Sequence, residues 1–180
     1  MLLNLFIIIW VILFLSVLAT FIYGFPAMLA VGPIPAHKKG IGKALELAEI
    51  KPGEKFYDLG CGDGRVLVRA TKDYDCYGVG YELVFPYYLL AKARAKLSGR
   101  SDKIEVRCKN FFKADLQNAD VIFCFLTPKL MQKIGKLLKE TKLKSGVRIV
   151  SYAFSIKDME PEKKIEHSKE NWNIYLYKIL

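Results

Sequence analysis

The first 36 residues contain no Lys, Arg, Asp or Glu, so every formal charge, and the whole net charge of +10, sits in the remainder of the chain. Histidine is scarce, with only His37 and His167, and neither has an evident partner in the sequence. The four cysteines, Cys61, Cys76, Cys108 and Cys124, stand at no metal-ligand spacing, which excludes a zinc-binding framework. No metal is expected. Three of the four lie in apolar, strand-like runs, which predicts buried, reduced thiols and a reducing compartment. There is no internal repeat and no low-complexity tract, so a solenoid architecture is excluded.

What fills the charge-free stretch is hydrocarbon. "LLNLFIIIWVILFLSVLATFIY" (2–23) is broken only by Asn4, Ser16 and Thr20. A helix rising ~1.5 Å per residue needs about 20 such residues to cross a ~30 Å apolar layer. The expectation is a transmembrane helix over 1–24. A cleaved signal peptide, with "AMLA" (27–30) as its site, fits less well: the run is too long for an h-region and no basic residue precedes it. A buried helix of a soluble core fits less well again, because the run is apolar on every face. His37, Lys38, Lys39 and Lys43 follow the run, and the positive-inside rule then places the downstream domain in the cytoplasm as a single-pass membrane protein. "GFPAMLAVGPIP" (24–35) is punctuated by Pro and Gly, so 25–36 reads as a linker and 37–180 as the folded domain.

Within that domain, helical and extended patterns alternate. Helices are expected over 37–50, 64–73, 84–99 and 128–142. Strands are expected over 55–59, 76–82, 103–110, 120–126, 146–154 and 172–180, with 163–168 as a hairpin partner for the last. Pro86 and Pro128 fall in first turns, where proline is tolerated. The alternation predicts an α/β fold with a mostly parallel sheet covered on both faces. The two closing strands, with no helix between them, predict an antiparallel hairpin at one edge. The lysines are scattered at helix-face spacing rather than clustered, which fits a solvated face or attraction to anionic lipid better than a nucleic-acid interface.

One loop carries chemistry. In "YDLGCGDGRV" (57–66), Gly60, Gly62 and Gly64 sit between the first strand and the first helix of the alternation, flanked by Asp58 and Asp63. In open α/β sheets, ligands lie beyond the carboxyl ends of the strands, and glycines there let backbone approach a ligand closely. Dinucleotide loops are spaced G-x-G-x-x-G around a pyrophosphate. Here the spacing is G-x-G-x-G, and two carboxylates would repel a phosphate. They suit a cationic, phosphate-free nucleoside such as S-adenosylmethionine. Glu82 closes the next strand in "GVGYE", about 20 residues on, where an acid accepts from ribose hydroxyls.

These features resemble the class I S-adenosylmethionine-dependent methyltransferases, with a Rossmann-like sheet. Within them the chain is similar to the small archaeal broad-specificity protein-lysine methyltransferases. It is similar also to the mitochondrial lysine methyltransferases acting on ATP synthase subunit c and the adenine nucleotide translocase, which carry an amino-terminal hydrophobic segment too. The likeness runs from about Pro33 to Leu180, through "PIPA", "LELAEIKPGEKFYDLGCGDGRV", "VGYE", "NFF", "ADVIFCFL", "SGVRIVS" and "NIYLYKIL". It implies that Asp58, Gly60, Gly62 and Gly64 line the methionine end of the cofactor and that Glu82 holds the ribose, with Asp63 a further cofactor-binding candidate. It implies further that Asn110 with Phe111 faces the adenine, and that the stretch around Pro33 and Pro35 helps close the site. Many class I enzymes have Asp at the position of Asn110. The archaeal enzymes carry His and Glu after the serine of the fifth strand, whereas Tyr152 and Ala153 follow Ser151 here.

A methyltransferase must mainly align its nucleophile. A lysine amine with a pKa near 10.4 is neutral in about one copy in a few thousand at pH 7, and an apolar aromatic channel favours that neutral form. Phe125, Leu126, Thr127, Pro128, Tyr152 and Phe154 are the channel candidates, with Tyr152 and Thr127 nearest the chemistry. The expected partner is a protein lysine. A small molecule or lipid headgroup is the alternative substrate, and a non-catalytic membrane-bound binding module the alternative class. Nucleic acid fits poorly: "FLTP" (125–128) stands where an N-P-P-Y-type motif would.

Overall fold

In a computed structural model, residues 2–20, 38–166 and 172–179 are described. The chain divides into two units, Met1–Pro35 and Ala36–Leu180. In the first, α1 (Leu2–Ala19) is apolar all round, and its large side chains from Phe6 to Leu18 are all exposed. Its one hydroxyl is satisfied within the helix, Ser16 donating to the Leu13 carbonyl, and Thr20, just past its end, donates to that of Ser16. At 18 residues α1 is about 27 Å long. Among the described residues no helix is long and apolar enough to cross a membrane. The expected span over 1–24 is therefore not found among the described residues, and its residues 21–24 lie outside them. So do the expected linker with Pro33 and Pro35, and both histidines.

The second unit opens with α2 (Lys38–Leu47), whose Ile41, Ala44, Leu45 and Leu47 are buried. Then come β1 (Lys55–Leu59), α3 (Arg65–Tyr74), β2 (Tyr77–Tyr81), α4 (Phe85–Leu97) and β3 (Ile104–Arg107). After a 3-10 turn at Phe111–Lys113 follow β4 (Val121–Cys124), α5 (Pro128–Glu140), β5 (Arg148–Ala153), β6 (Lys163–Glu166) and β7 (Asn173–Lys178). The seven strands form one sheet in the order β3-β2-β1-β4-β5-β7-β6. The first five are parallel, and β7 runs antiparallel between β5 and β6. Strand order reverses beside β1, which pairs with β2 on one side and β4 on the other. That switch point is where an open sheet leaves a crevice.

Two apolar clusters sandwich the sheet. One packs α2 and α3 onto Phe56, Phe123, Val150 and Tyr152. The other packs α5 onto Leu59, Ile122, Ile149 and Tyr177. In α5 the buried Met131, Ile134, Gly135 and Leu138 face the core, while Lys129, Lys133, Lys136 and Lys139 are exposed. These lysines form a solvated helix face. Cys61, Cys76 and Cys124 are buried and Cys108 is exposed. The expectation of buried thiols is corrected at Cys108. It falls just beyond the end of β3, where the expected strand to residue 110 gives way to the 3-10 turn.

Candidate active site

The carboxyl tip of β1 carries Asp58, which is 2% exposed. Its neighbours in the sheet are Gly80 of β2 and Phe123 of β4, so the backbone fixes it at the switch point. One carboxylate oxygen of Asp58 is buried with no hydrogen-bond partner among the described residues. Burial, then the nearby charges of Glu82 and Asp63, push this carboxyl well above the usual range. A buried, unsatisfied carboxylate is costly, and a cationic ligand relieves that cost.

The glycine loop follows. The amides of Gly60 and Cys61 both donate to the Tyr81 carbonyl, at 2.9 Å each, which folds the loop back over the tip of β2. Gly62 has φ +55°, and a Cβ built on it would meet nothing within 4 Å. Among the described residues, the backbone there borders open space. Gly64, at φ +76°, instead lies against α4, where a Cβ would sit 3.0 Å from that of Ala91.

Glu82 lies beyond β2 and is 7% exposed. Its Oε2 accepts from the Gly62 amide at 2.9 Å and its Oε1 from the Val84 amide at 2.7 Å. Two amides thus hold the carboxylate at the tip of β2, with lone pairs left for further donors. Asp63 does other work. It takes a two-pronged contact from Arg65 (2.9 and 2.8 Å) and a 2.7 Å bond from Arg94 of α4. Those guanidiniums hold its carboxyl below the usual range, against the opposing effect of burial. Asp63 fastens the loop to α3 and α4. Asn110, expected beside a base, accepts from the Phe112 amide at 3.0 Å and so caps the 3-10 turn. Phe111 is half-buried with its ring 4.5 Å from that of Phe112.

The two expected catalytic positions part company. Thr127 is exposed at the start of α5, and its carbonyl accepts from Leu130 and Met131. Tyr152 is completely buried and belongs to the core cluster, so its place as an open channel wall is corrected. Its ring meets Phe125 edge-on at 4.9 Å and Trp172 at 5.9 Å, and Phe125 and Trp172 stand 5.7 Å apart. Phe125 and Trp172 are half-buried, so they lie over Tyr152 as floor. Trp172 was missed because it precedes β7, far along the chain. Only the sheet order brings it beside β5. Ala153 carries a second unforeseen feature: φ +74°, rare for a residue with a Cβ. It lies at the tip of β5, and the Ser151 hydroxyl donates across it to the Phe154 carbonyl at 2.5 Å. Phe154 is 38% exposed, Leu126 buried and Pro128 exposed. Among the described residues no group of His, Cys, Asp and Glu could hold a metal ion.

The parallel sheet with its reversal at β1, the buried acid beneath a bare glycine loop and the second acid at the tip of β2 define an S-adenosylmethionine-dependent methyltransferase. The unpartnered Asp58 oxygen and the open space at Gly62 fit that cofactor's cationic methionine end. The family model for the ANTKMT methyltransferase domain matches residues 58–163, and the chain belongs to that family. A protein-lysine N-methyltransferase of Saccharolobus islandicus (strain REY15A) is 33% identical over 152 residues, covering 81% of this chain and 92% of its own. The adenine nucleotide translocase lysine N-methyltransferase of Mus musculus is 30% identical over 136 residues, covering 76% of this chain and 58% of its own. Among solved structures, an RNA methyltransferase from Salinibacter ruber in complex with S-adenosyl-L-homocysteine has a TM-score of 0.76. It is 32% identical and covers 81% of this chain and 94% of its own.

Proposed function

We propose that the chain methylates the side-chain amine of a protein lysine. The observation that carries this reading is the aromatic cluster of Phe125, Tyr152 and Trp172 at the tips of β4 and β5 and the start of β7. β4 adjoins β1, so Phe125, just past β4, stands at the strand next to the glycine loop, with Tyr152 on β5 and Trp172 before β7 at the two strands beyond it. Rings attract an ammonium or methylammonium through their faces, and an apolar surround favours the neutral, nucleophilic amine. S-adenosylmethionine, when bound, supplies an activated methyl group on a good leaving group. Asp58 and the loop backbone would hold its methionine end, and Glu82 its ribose. Asn110 and Phe111 would border its base. The protein's task is then alignment of the incoming amine and exclusion of water. The lysine methyltransferases among the relatives support this substrate class.

A second reading, RNA methylation, is favoured by the net charge of +10 and by the Salinibacter ruber structure. Incubation of the full chain with radiolabelled cofactor and a membrane extract separates the two. Label that runs with protein and maps to lysine by mass spectrometry is the expected result. Label sensitive to ribonuclease would replace it with the RNA reading, and label extracted into organic solvent with a lipid substrate.

We propose also that α1 anchors the chain to a membrane, with the folded unit in the cytoplasm. The charge-free first 36 residues, the all-round apolar exposure of α1 and the locally bonded hydroxyls of Ser16 and Thr20 support this. Full-length protein should stay in the pellet after alkaline carbonate extraction, and a version lacking residues 1–24 should not.

A further inference from the structure

A cavity of about 480 Å³ opens between α2, α3 and α4, lined by Lys38, Ile41, Arg65, Val68, Arg69 and Arg94. Four of those six side chains are cations, and none is acidic. We propose that it binds a phosphate-class dianion.

The cations are held in place, and they are incompletely neutralised. Asp63 serves both Arg65 and Arg94, and Asp73 pairs with Arg69 at 3.2 Å. Two carboxylates therefore face four positive charges. Lys38 has no ion pair among the described residues. Arg69 also donates through Nη1 to the Lys38 carbonyl. Its guanidinium lies against α2 where Gly42 leaves room, since a Cβ there would sit 2.7 Å from Nη2. Arg94 donates through Nε to the Asp63 carbonyl at 2.8 Å and through Nη2 to its carboxylate.

Each guanidinium thereby keeps one terminal nitrogen with no protein partner among the described residues: Nη1 of Arg65, Nη2 of Arg69 and Nη1 of Arg94. Guanidinium forks match the oxygens of phosphate, and fixing them beforehand removes the ordering cost of binding. Ile41 and Val68 supply the apolar part of the same cavity wall. The acids of the cofactor cleft repel phosphate, so this cavity is chemically distinct from that cleft although Asp63 stands between them. Its ligand chemistry is shared by a free phosphate and by a phosphate-bearing lipid headgroup.

Calorimetric titration of the full chain in detergent, at about 150 mM chloride to screen non-specific charge attraction, tests this with two probes: inorganic phosphate and sn-glycerol 3-phosphate. One-to-one saturable binding is expected, weakened roughly tenfold in Lys38→Gln/Arg69→Gln. Lys136→Gln, on the solvated face of α5, should change nothing. Lys38→Gln alone removes no ion pair among the described residues and replaces an exposed side chain, so folding should be kept, and it should weaken binding by roughly threefold. Tighter binding of glycerol phosphate identifies a lipid headgroup as the source, and equal binding a free phosphate. Absence of saturable binding, or equal binding by the double variant, overturns the proposal. So does an oligoribonucleotide that outcompetes both probes and loses affinity in that variant. Cofactor binding, measured separately on the same samples, reports independently on the methyltransferase site.

Discussion

Asp58 holds a carboxyl where water cannot reach it and gives one of its oxygens no partner. In the cofactor-free chain burial, then the charges of Glu82 and Asp63, raise its titration above the ordinary range and so shift it toward the neutral acid. An unfolded Asp titrates near about 4. Between that value and the raised folded one, the native chain binds the extra proton, so stability falls as pH rises. Asp58→Asn removes this term. At pH 7 it is expected to raise the Tm of the cofactor-free protein while weakening S-adenosylmethionine binding by roughly a hundredfold or more. Because a cation favours the ionised form, wild-type binding should release a proton, and affinity should fall as pH drops through the folded titration of Asp58. Calorimetry in buffers of different ionisation enthalpy reads that proton directly. Trp172 gives a complementary test at the same scale. Trp172→Ala opens the aromatic cluster without touching the glycine loop, so kcat/KM for a lysine substrate should fall by roughly 10- to 100-fold. Cofactor affinity should stay within about twofold, since no change reaches the cleft.

At the scale of the element, the β1–α3 loop assigns different tasks to neighbouring glycines. Gly62 borders open space, and Gly64 is pressed against Ala91 of α4. Both adopt positive φ, which costs a residue with a Cβ about 1–2 kcal/mol. Gly62→Ala should lose about that much stability yet reduce cofactor binding at least tenfold, because its methyl enters the cleft. Gly64→Ala adds overpacking against α4, and the loss should reach about 2–4 kcal/mol. Urea unfolding beside cofactor titration separates the two effects. The glycine pattern made the loop legible in sequence. It did not distinguish the glycine facing ligand from the one facing a helix, because that depends on where α4 docks. The same docking explains Asp63. Its neighbour Arg65 is local, but Arg94 comes from 31 positions away and turns a candidate cofactor ligand into a fastening.

Across the whole molecule, long-range contacts join the first and last thirds of the folded unit. Arg148, at the start of β5, donates to the carbonyls of Ala48 (3.0 Å) and Glu49 (2.5 Å) and pairs with Glu54 at 2.5 Å. Both partners of the ion pair are largely buried, with side chains 13% and 19% exposed. Removing one leaves the other desolvated. Arg148→Met should therefore cost about 3–5 kcal/mol, read as a lowered urea midpoint at unchanged slope. The binding cleft itself should remain intact in the fraction that folds.

Periodicity and punctuation alone determined the order of helices and strands, the antiparallel close of the sheet and the acid–glycine loop with its distant partner acid. Apart from that partner acid, which the end of the next strand places, these are written in spacings within a few residues, where backbone geometry and burial of alternate side chains leave few options. Tertiary structure decided the rest: the insertion of β7 between β5 and β6, the burial of Tyr152 under Phe125 and Trp172, and the exposure of Cys108. It also decided the gathering of Lys38, Arg65, Arg69 and Arg94 around one cavity. Those residues are dispersed along the chain, and only sheet order and helix docking set the distances between them.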